Sequence, residues 1–540
     1  MRRSTRWGNR TPDSDTAWAN DRRRFLRSIA AMPLGGLSAS LFAQQTPKNI
    51  AFATHPFTLG VASGDPAPDG FVIWTRLATT PLQAGGGLPR QTIQVDWSVA
   101  ADERMQQVVR TGSAIAYPEA GHSVHVEVDG LAPGREYFYR FVAGGEASTV
   151  GRAKTLPAMG SAIAQIRFAA AGCQQYEDGY YTAWRHIANE RLDFVYHYGD
   201  YIYEYNSTQI NRKLPVVRTV PGVTGESYSL DEYRLRYAAY KLDPDLQAAH
   251  ASAPFVMSFD DHEVDNNWAG DLSSQDTPVE LFLLRRASAF QAWYEHMPLR
   301  RAQLPRGPDI LAYRRLLIGN LVAVNVLDTR QYRSNQPCGD GARVDCAEAR
   351  DPARTMLGAA QEKWLYEGFR RGDTARWTLL AQQVPLIQRD TNRDPAVYAM
   401  HMDKWDGATA ARDRLLNAAA AAKVRNLVVV TGDVHHNCAA ELKRDFSDPN
   451  SPTVGAEFIG TSITSNGDGS DTTPRFEDLL RQDPHIKFYN NQRGYVHHVV
   501  SQKRWQADYR VLDKVSVRDG TVSTRASFVL EDARPGINRS

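Results

Sequence analysis

In 540 residues this chain has only four cysteines, no run of eighteen or more apolar residues and no block dominated by Ser, Gln or Glu. The missing apolar run leaves no expected transmembrane helix, which needs roughly twenty such residues to cross a bilayer. The missing polar blocks, beside 42% hydrophobic and 23% charged residues, exclude a chain that is disordered over most of its length. Charge of one sign is scarce too. The formal net charge is +2, and residues 1–43 alone hold eight Arg against three Asp, so the remainder carries about −3. A mildly acidic remainder offers no basic stripe to a nucleic acid. What is present is a globular composition at a length where a single core stops growing, so two domains behind any targeting segment are expected.

Arg22-Arg23-Arg24-Phe25-Leu26-Arg27 opens a weakly apolar stretch from Ser28 to Ala43, behind an Arg-rich region. That is the layout of a cleaved export signal. Two arginines, a spacer, Phe-Leu and a basic residue resemble the twin-arginine signal R-R-x-F-L-K, with Arg27 in place of Lys. The other reading, a short amphipathic helix with a basic face, is interrupted by Pro33, Gly35 and Gly36. The resemblance implies that residues 1–43 are a signal peptide read by the twin-arginine translocation machinery. It also implies a periplasmic or secreted protein exported already folded, often around a cofactor. Free thiols seldom persist in such an oxidising place. Cys338 and Cys346 lie close in a Gly/Asp-rich loop and are the expected disulfide, although four cysteines allow three pairings. Cys173 and Cys438 are then left over.

Between Thr92 and Ala143 the hydrophobic period is two. Ile93, Val95, Trp97 and Val99 alternate with Gln94, Asp96 and Ser98, and Val124, Val126 and Val128 alternate with His125, Glu127 and Asp129. A Pro133-Gly134 turn feeds a strand with Tyr137 and Tyr139 on one face, similar to the tyrosine-bearing strand of fibronectin type III sandwiches. A small all-β module follows, with His122 and His125 expected on its surface.

After Pro157 apolar runs alternate with helical stretches, which argues an α/β domain with strands buried on both faces. Four such runs end in chemistry-bearing residues: Cys173-Gln174-Gln175, Asp200-Tyr201-Ile202-Tyr203-Glu204, Asp260-Asp261-His262-Glu263 and Asp433-Val434-His435-His436. Ligands gather at such strand ends. A single Gly-Asp after a strand is usually a turn or a helix cap. Several acidic termini together, two of them with His, point instead to a metal site. The chemistry they suit is hydrolysis of a phosphate ester by metal-bound hydroxide, with carboxylates and a phenolate offsetting the charge of hard cations.

Gly199-Asp200-x-x-Tyr203, Asp260-Asp261-His262-Glu263 and Gly432-Asp433-x-His435 are similar to the purple acid phosphatase and metallophosphoesterase series, and most similar to its PhoD type. The opening Phe57–Pro66, Asn325–Arg333, Gln382–Leu386, Trp405-Asp406-Gly407 and Gly460–Ser465 extend that likeness over nearly the whole mature chain. The chain departs from the general series at three points. Cys173 stands where an Asp is usual, Asp261 where Asn is usual and Asp433 where His is usual. Losing nitrogen donors for carboxylates favours calcium over zinc at the second metal.

The resemblance implies an α/β (α+β) fold: a metallophosphoesterase-like β-sandwich flanked by helices over 158–540, preceded by a small all-β fibronectin-like sandwich over 50–157. It implies Fe3+ and Ca2+ as cofactors. Cys173, Tyr203 and His435 would bind iron, Asp200 would bridge, and Asp261 and Asp433, with Asn267 as a weaker candidate, would hold calcium. His262 would face the phosphate, donating to its oxygens or to the leaving group. Arg330 would contact phosphate or serve as a salt-bridged strand end. Trp405 and Tyr332 would be core or substrate rim, and Gln383 would assist at the second metal or be structural. For Cys173 a disulfide to Cys438 is the competing reading, with Cys438 otherwise a buried thiol. The implied activity is an exported alkaline phosphatase on phosphate mono- and diesters. The rival readings are a phospholipase D-like phosphodiesterase and a non-catalytic exported metal-binding protein.

Overall fold

Strand Gln165–Ala171 carries Phe168 and Ala170 to one side and Ala169 and Ala171 to the other, and both sides are buried. That double burial reflects a layered architecture in the computed structural model, which describes residues 50–205, 216–223, 225–371, 375–392, 394, 396–448, 450–472 and 476–540. The Arg22–Arg27 run and the expected signal peptide lie outside the described residues.

Two sheets pack face to face. The larger has ten strands in the order Arg534–Arg539, Val522–Glu531, Arg504–Leu512, Gly494–Ser501, Gln165–Ala171, Phe194–His197, Pro254–Met257, Val61–Ala67, Gly70–Arg76, Ser123–Val128. The smaller has seven: Arg314–Ile318, Val322–Val326, Trp377–Ala381, Leu427–Thr431, Thr453–Ile459, Asn437–Lys443, Ile486–Asn490. Phe168, Tyr196 and Val256 of the first meet Val324, Leu379, Val428 and Phe458 of the second in one core. The outer face of the large sheet is covered by helices Thr182–Ala188, Leu230–Lys241, Pro244–Ser252 and Val279–His296, through Trp184, Tyr237, Leu246, Phe290 and Trp293. Helices Gly358–Arg371 and Thr409–Ala421 cover the other sheet through Leu365, Phe369, Leu415 and Leu416. The result is a β-sandwich flanked by helices, an α+β fold with an all-β module in front.

The front module shares a sheet with the rest of the molecule. Val61–Ala67 runs parallel to Pro254–Met257, with Ser63 opposite Pro254, so three front strands extend the ten-stranded sheet. A separate five-stranded sheet built on Ile93–Ala100 and Glu136–Ala143 lies over that extension. Val61, Phe71, Ile73 and Val124 from one layer meet Val95, Tyr137, Tyr139 and Phe141 from the other, the alternation read from the sequence. The surface placement expected for the two histidines is corrected. His122 is buried in the turn before its strand, and His125 Nε2 lies 2.9 Å from the carbonyls of both Tyr294 and Met297, with its ring stacked on Tyr294. Alternation identifies the outward face of a strand and leaves open whether a helix covers it.

The seam also buries Lys241, at 1% exposure. Its ammonium faces the rings of Trp74 at 4.2 Å and Tyr201 at 5.3 Å and, among the described residues, pairs with no carboxylate. Burial lowers its pKa from 10.5 to about 7. Between those values the unfolded chain holds a proton the native state sheds, so stability falls as pH drops through this window, by up to about 1.4 kcal/mol per pH unit. Lys241→Met is therefore expected to stabilise the protein at pH 7 and to lose that advantage progressively toward pH 10.5. Denaturant unfolding at the two pH values measures it, and an equal gain at both would contradict the account.

Candidate metal centre

Three parallel strands of the large sheet end level with one another. His197 pairs with Ala171 on one side and Met257 on the other, so Cys173, Asp200 and Asp260-Asp261 emerge along one edge. In the facing sheet Leu427–Thr431 delivers Asp433 and His435 to the same crevice. Tyr198 holds these loops together, its ring packed into spaces that only glycine leaves. A Cβ on Gly172 would stand 2.5 Å from the Tyr198 ring, and one on Gly432 would stand 2.2 Å from it. Four residues of the crevice have left-handed backbone without being glycine: Cys173 (φ 52°), Asp200 (φ 54°), Asp433 (φ 67°) and His435 (φ 56°). Such conformations cost about 1–3 kcal/mol each and persist where the surroundings impose them, typically at functional sites. Glu263 supplies part of that constraint. Its buried carboxylate accepts from the backbone N–H of Asp260 (2.8 Å), Asp200 (3.0 Å) and Tyr201 (2.6 Å), tying two strand-end loops into one unit.

One side of the crevice gathers mixed donors. Ligand atoms of Cys173, Asp200 and His435 lie within 4.8 Å of one another. The Tyr203 hydroxyl is 3.1 Å from Asp200 Oδ2 and 3.1 Å from His435 Nε2. Ser465 Oγ lies 2.7 Å from the Tyr203 hydroxyl and donates to the Cys173 carbonyl at 2.7 Å. Arg493, fully buried, donates to the His435 carbonyl at 2.6 Å and fixes that loop. Burial pushes the Cys173 thiol well up, and Asp200, Asp433 and Asp260 add to the effect. Burial and then Asp200 likewise raise the Tyr203 phenol. Asp200 Oδ1 is buried with no hydrogen-bond partner. A cation fits this arrangement, since it would satisfy that oxygen and favour thiolate and phenolate. One thiol, one phenol, one imidazole and one carboxylate suit a transition-metal ion such as iron.

The other side is dominated by carboxylates. Asp260, Asp261 and Asp433 bring carboxylate oxygens within 4.8 Å of one another, and Asp200 forms a further cluster with Asp261 and His262. Asp200 is thus common to both sides. Asp261 Oδ1 is buried without a hydrogen bond, and its Oδ2 accepts from the Asn267 backbone N–H at 2.8 Å. Hard carboxylate donors suit calcium. Cations of the chain stand against the same acids. Arg330, at 0% exposure, donates through Nε to Asp260 Oδ1 (2.5 Å), through Nη1 to Asp403 (2.9 Å) and through Nη2 to Asp433 Oδ1 (3.3 Å), with Asp261 at 3.5 Å. Lys404 lies against Asp433 Oδ2. Burial raises Asp260 well above the carboxylate range against the pull of Arg330. Asp261 is instead drawn down to about 2, because Arg330 and His262 outweigh its burial.

His262 faces both sides. Its Nδ1 is 2.7 Å from Glu204 Oε2, whose other oxygen accepts from the Asn266 N–H at 2.8 Å, so Nε2 is the ring atom left for the crevice. Burial alone would lower its pKa, but Glu204, Asp261 and Asp200 together raise it well above the usual imidazole value.

Of the residues proposed from sequence, Cys173, Asp200, Tyr203, Asp261, His262, Asp433 and His435 line one crevice. Asn267 stands beside it with its side-chain amide directed at Asp340. Arg330 sits beneath the carboxylates. Trp405 is core, its Nε1 donating to Gln382 at 2.8 Å, whereas Tyr332 is 37% exposed. Gln383 accepts from Thr329 and donates to the Leu327 carbonyl, so both ends of its amide serve the scaffold. Cys338 and Cys346 form a disulfide, while Cys173 and Cys438 are free and buried. Sequence reasoning gave no role to Glu204, Asp403, Lys404, Ser465 or Arg493. Glu204 directly follows the Gly-Asp-x-x-Tyr element, and Asp403-Lys404 directly precedes Trp405-Asp406-Gly407, so adjacency to motifs was the available signal.

Residues 168–509 match the PhoD-like phosphatase family, and residues 43–157 match the N-terminal domain of PhoD-like phosphatases. The chain is 47% identical over 525 residues to alkaline phosphatase D of Bacillus subtilis (strain 168), covering 96% of this chain and 89% of that protein. The solved structure of PhoD superposes with a TM-score of 0.88 at 48% identity, covering 91% of this chain and 93% of that one. With this fold and crevice, the matches define a phosphoric ester hydrolase. The chain belongs to the PhoD-like phosphatase family.

Proposed function

We propose that this phosphatase is exported and metal-dependent, and hydrolyses phosphate mono- and diesters for phosphate acquisition with iron(III) and calcium at the crevice. The observation that carries the reading is Asp200. Its buried Oδ1 has no partner, and it belongs both to the cluster with Cys173 and His435 and to the cluster with Asp261 and His262. A carboxylate so placed suits bridging two cations. Cys173, Tyr203 and His435 would hold the iron, Asp261 and Asp433 the calcium, with Asn267 as an accessory. When bound, the two cations supply charge neutralisation at the phosphoryl oxygens and acidify water.

The chain's own groups do the rest. His262 presents Nε2 to the crevice because Glu204 engages Nδ1, which suits donation to a phosphoryl or leaving-group oxygen. Arg330 binds the carboxylates from below and fixes their spacing, and this is where its contribution to catalysis lies. Export rests on the Arg22–Arg27 signature. Among the described residues no helix is long and apolar enough to cross a membrane. A buried thiol ligand fits loading of the metal before export, since coordination protects it from oxidation.

The test is optical. Native protein is expected to contain iron and to show a visible phenolate-to-iron charge-transfer band that Tyr203→Phe abolishes, with activity falling at least about tenfold. Active protein without iron or colour would refute the assignment.

A further inference from the structure

We infer that Lys404 is a substrate-binding residue that competes with the second cation for Asp433 and turns to the phosphoryl group once that cation is bound. The inference rests on the reading of Asp261 and Asp433 as a hard-cation site.

Lys404 has two carboxylate neighbours. Asp403 does not need it, because Arg330 Nη1 (2.9 Å), Arg333 Nη1 (3.1 Å) and Gln336 Nε2 (2.7 Å) already donate to Asp403 Oδ1. Lys404 Nζ donates to the other oxygen, Oδ2, at 3.0 Å, where Arg330 Nη1 also donates at 3.1 Å, so Asp403 stays satisfied if the ammonium leaves. Asp433 is different. Its Oδ2 is buried and accepts no aligned hydrogen bond, so the ammonium against it is an ion pair outside hydrogen-bonding geometry. A divalent cation on Asp433 would claim the same oxygen and repel the ammonium.

Only the stem of Lys404 is free to respond. The backbone on its C-terminal side is pinned by Gly407 N donating to the Lys404 carbonyl (2.9 Å), by Trp405 Nε1 on Gln382 and by Arg412 on Asp406 (2.5 Å). Arg330 and Arg333 are no alternatives, since both are locked on Asp403 at side-chain exposures of 0% and 3%. The Lys404 side chain is 12% exposed, more than that of either carboxylate it touches, so its ammonium lies on the solvent side of these acids. A flexible, strongly hydrated point charge suits that role better than a fixed guanidinium.

Calcium binding to the iron-loaded protein, followed by calorimetry, tests the competition, and titration of the calcium-loaded protein with inorganic phosphate tests the second role. Lys404→Met is expected to bind calcium about tenfold more tightly and inorganic phosphate about tenfold more weakly than wild type, with Lys404→Arg recovering part of the phosphate affinity. Lys404→Gln serves the same purpose if the Met variant does not fold. Unchanged or weaker calcium binding in the neutral variants overturns the inference, as does unchanged phosphate binding. Wild type that binds no calcium would overturn the underlying cation reading, a result distinct from a failure of the variants alone.

Discussion

Asp200→Asn is expected to lower kcat/KM by about a thousandfold while raising the melting temperature of the metal-free protein by a few degrees. The two effects come from one carboxylate. Asn has nearly the same shape and can still accept the Tyr203 hydroxyl that now lies 3.1 Å from Asp200 Oδ2, so packing is preserved. What disappears is a negative charge in a buried cluster. Burial is the main reason Asp260 and Glu263 are raised, Glu263 to about 8, and repulsion from Asp200 adds to both. Removing that repulsion stabilises the empty fold. It also removes the carboxylate common to both clusters, so the substitution should abolish tight binding of two cations. Thermal unfolding of the metal-free proteins, elemental analysis and kinetics on one preparation separate the contributions. A variant that loses activity and stability together would mean that Asp200 is structural, whereas activity within about tenfold of wild type would exclude it as a bridge.

This pattern of stability conceded to function explains what could be read from the sequence. The strands that build the crevice are local signals, short apolar runs that stop at Gly-Asp or Asp-Asp-His-Glu, and they fall where expected, with Asp200 and Asp433 at strand ends. The Cys338–Cys346 bridge was legible because only eight positions separate the two. Long-range pairing was not. Nothing near Ser63 indicates that it will lie beside Pro254, so the continuation of the catalytic sheet into the front module leaves no local trace. The contacts that position the candidate ligands are similarly remote. Arg493 reaches the His435 carbonyl across 58 positions, and Arg330 reaches Asp403 across 73. A buried arginine looks the same in sequence as one that faces substrate. Only in the structure do the three nitrogens of the Arg330 guanidinium meet Asp260, Asp403 and Asp433.

His262→Asn is expected to reduce kcat on alkyl phosphates by about a hundredfold to a thousandfold and on p-nitrophenyl phosphate by less than about tenfold. The difference follows from where the ring points. With Nδ1 held by Glu204 at 2.7 Å, Nε2 is the ring nitrogen turned to the crevice, and the ring lies 4.1 Å from that of Tyr203 beside the proposed iron ligands. A proton delivered to the leaving oxygen matters most when the departing alkoxide is strongly basic and little when it is a stabilised phenolate. A residue that merely shaped the crevice would slow both substrates alike. Plotting log kcat against leaving-group pKa is thus the informative measurement. The slope should steepen in His262→Asn, and Glu204→Gln should move it the same way by a smaller amount, since it keeps the contact but weakens the hold on Nδ1. Parallel lines for wild type and both variants would show that His262 does not protonate the leaving group, and would leave its charge beside the phosphoryl oxygens as its contribution.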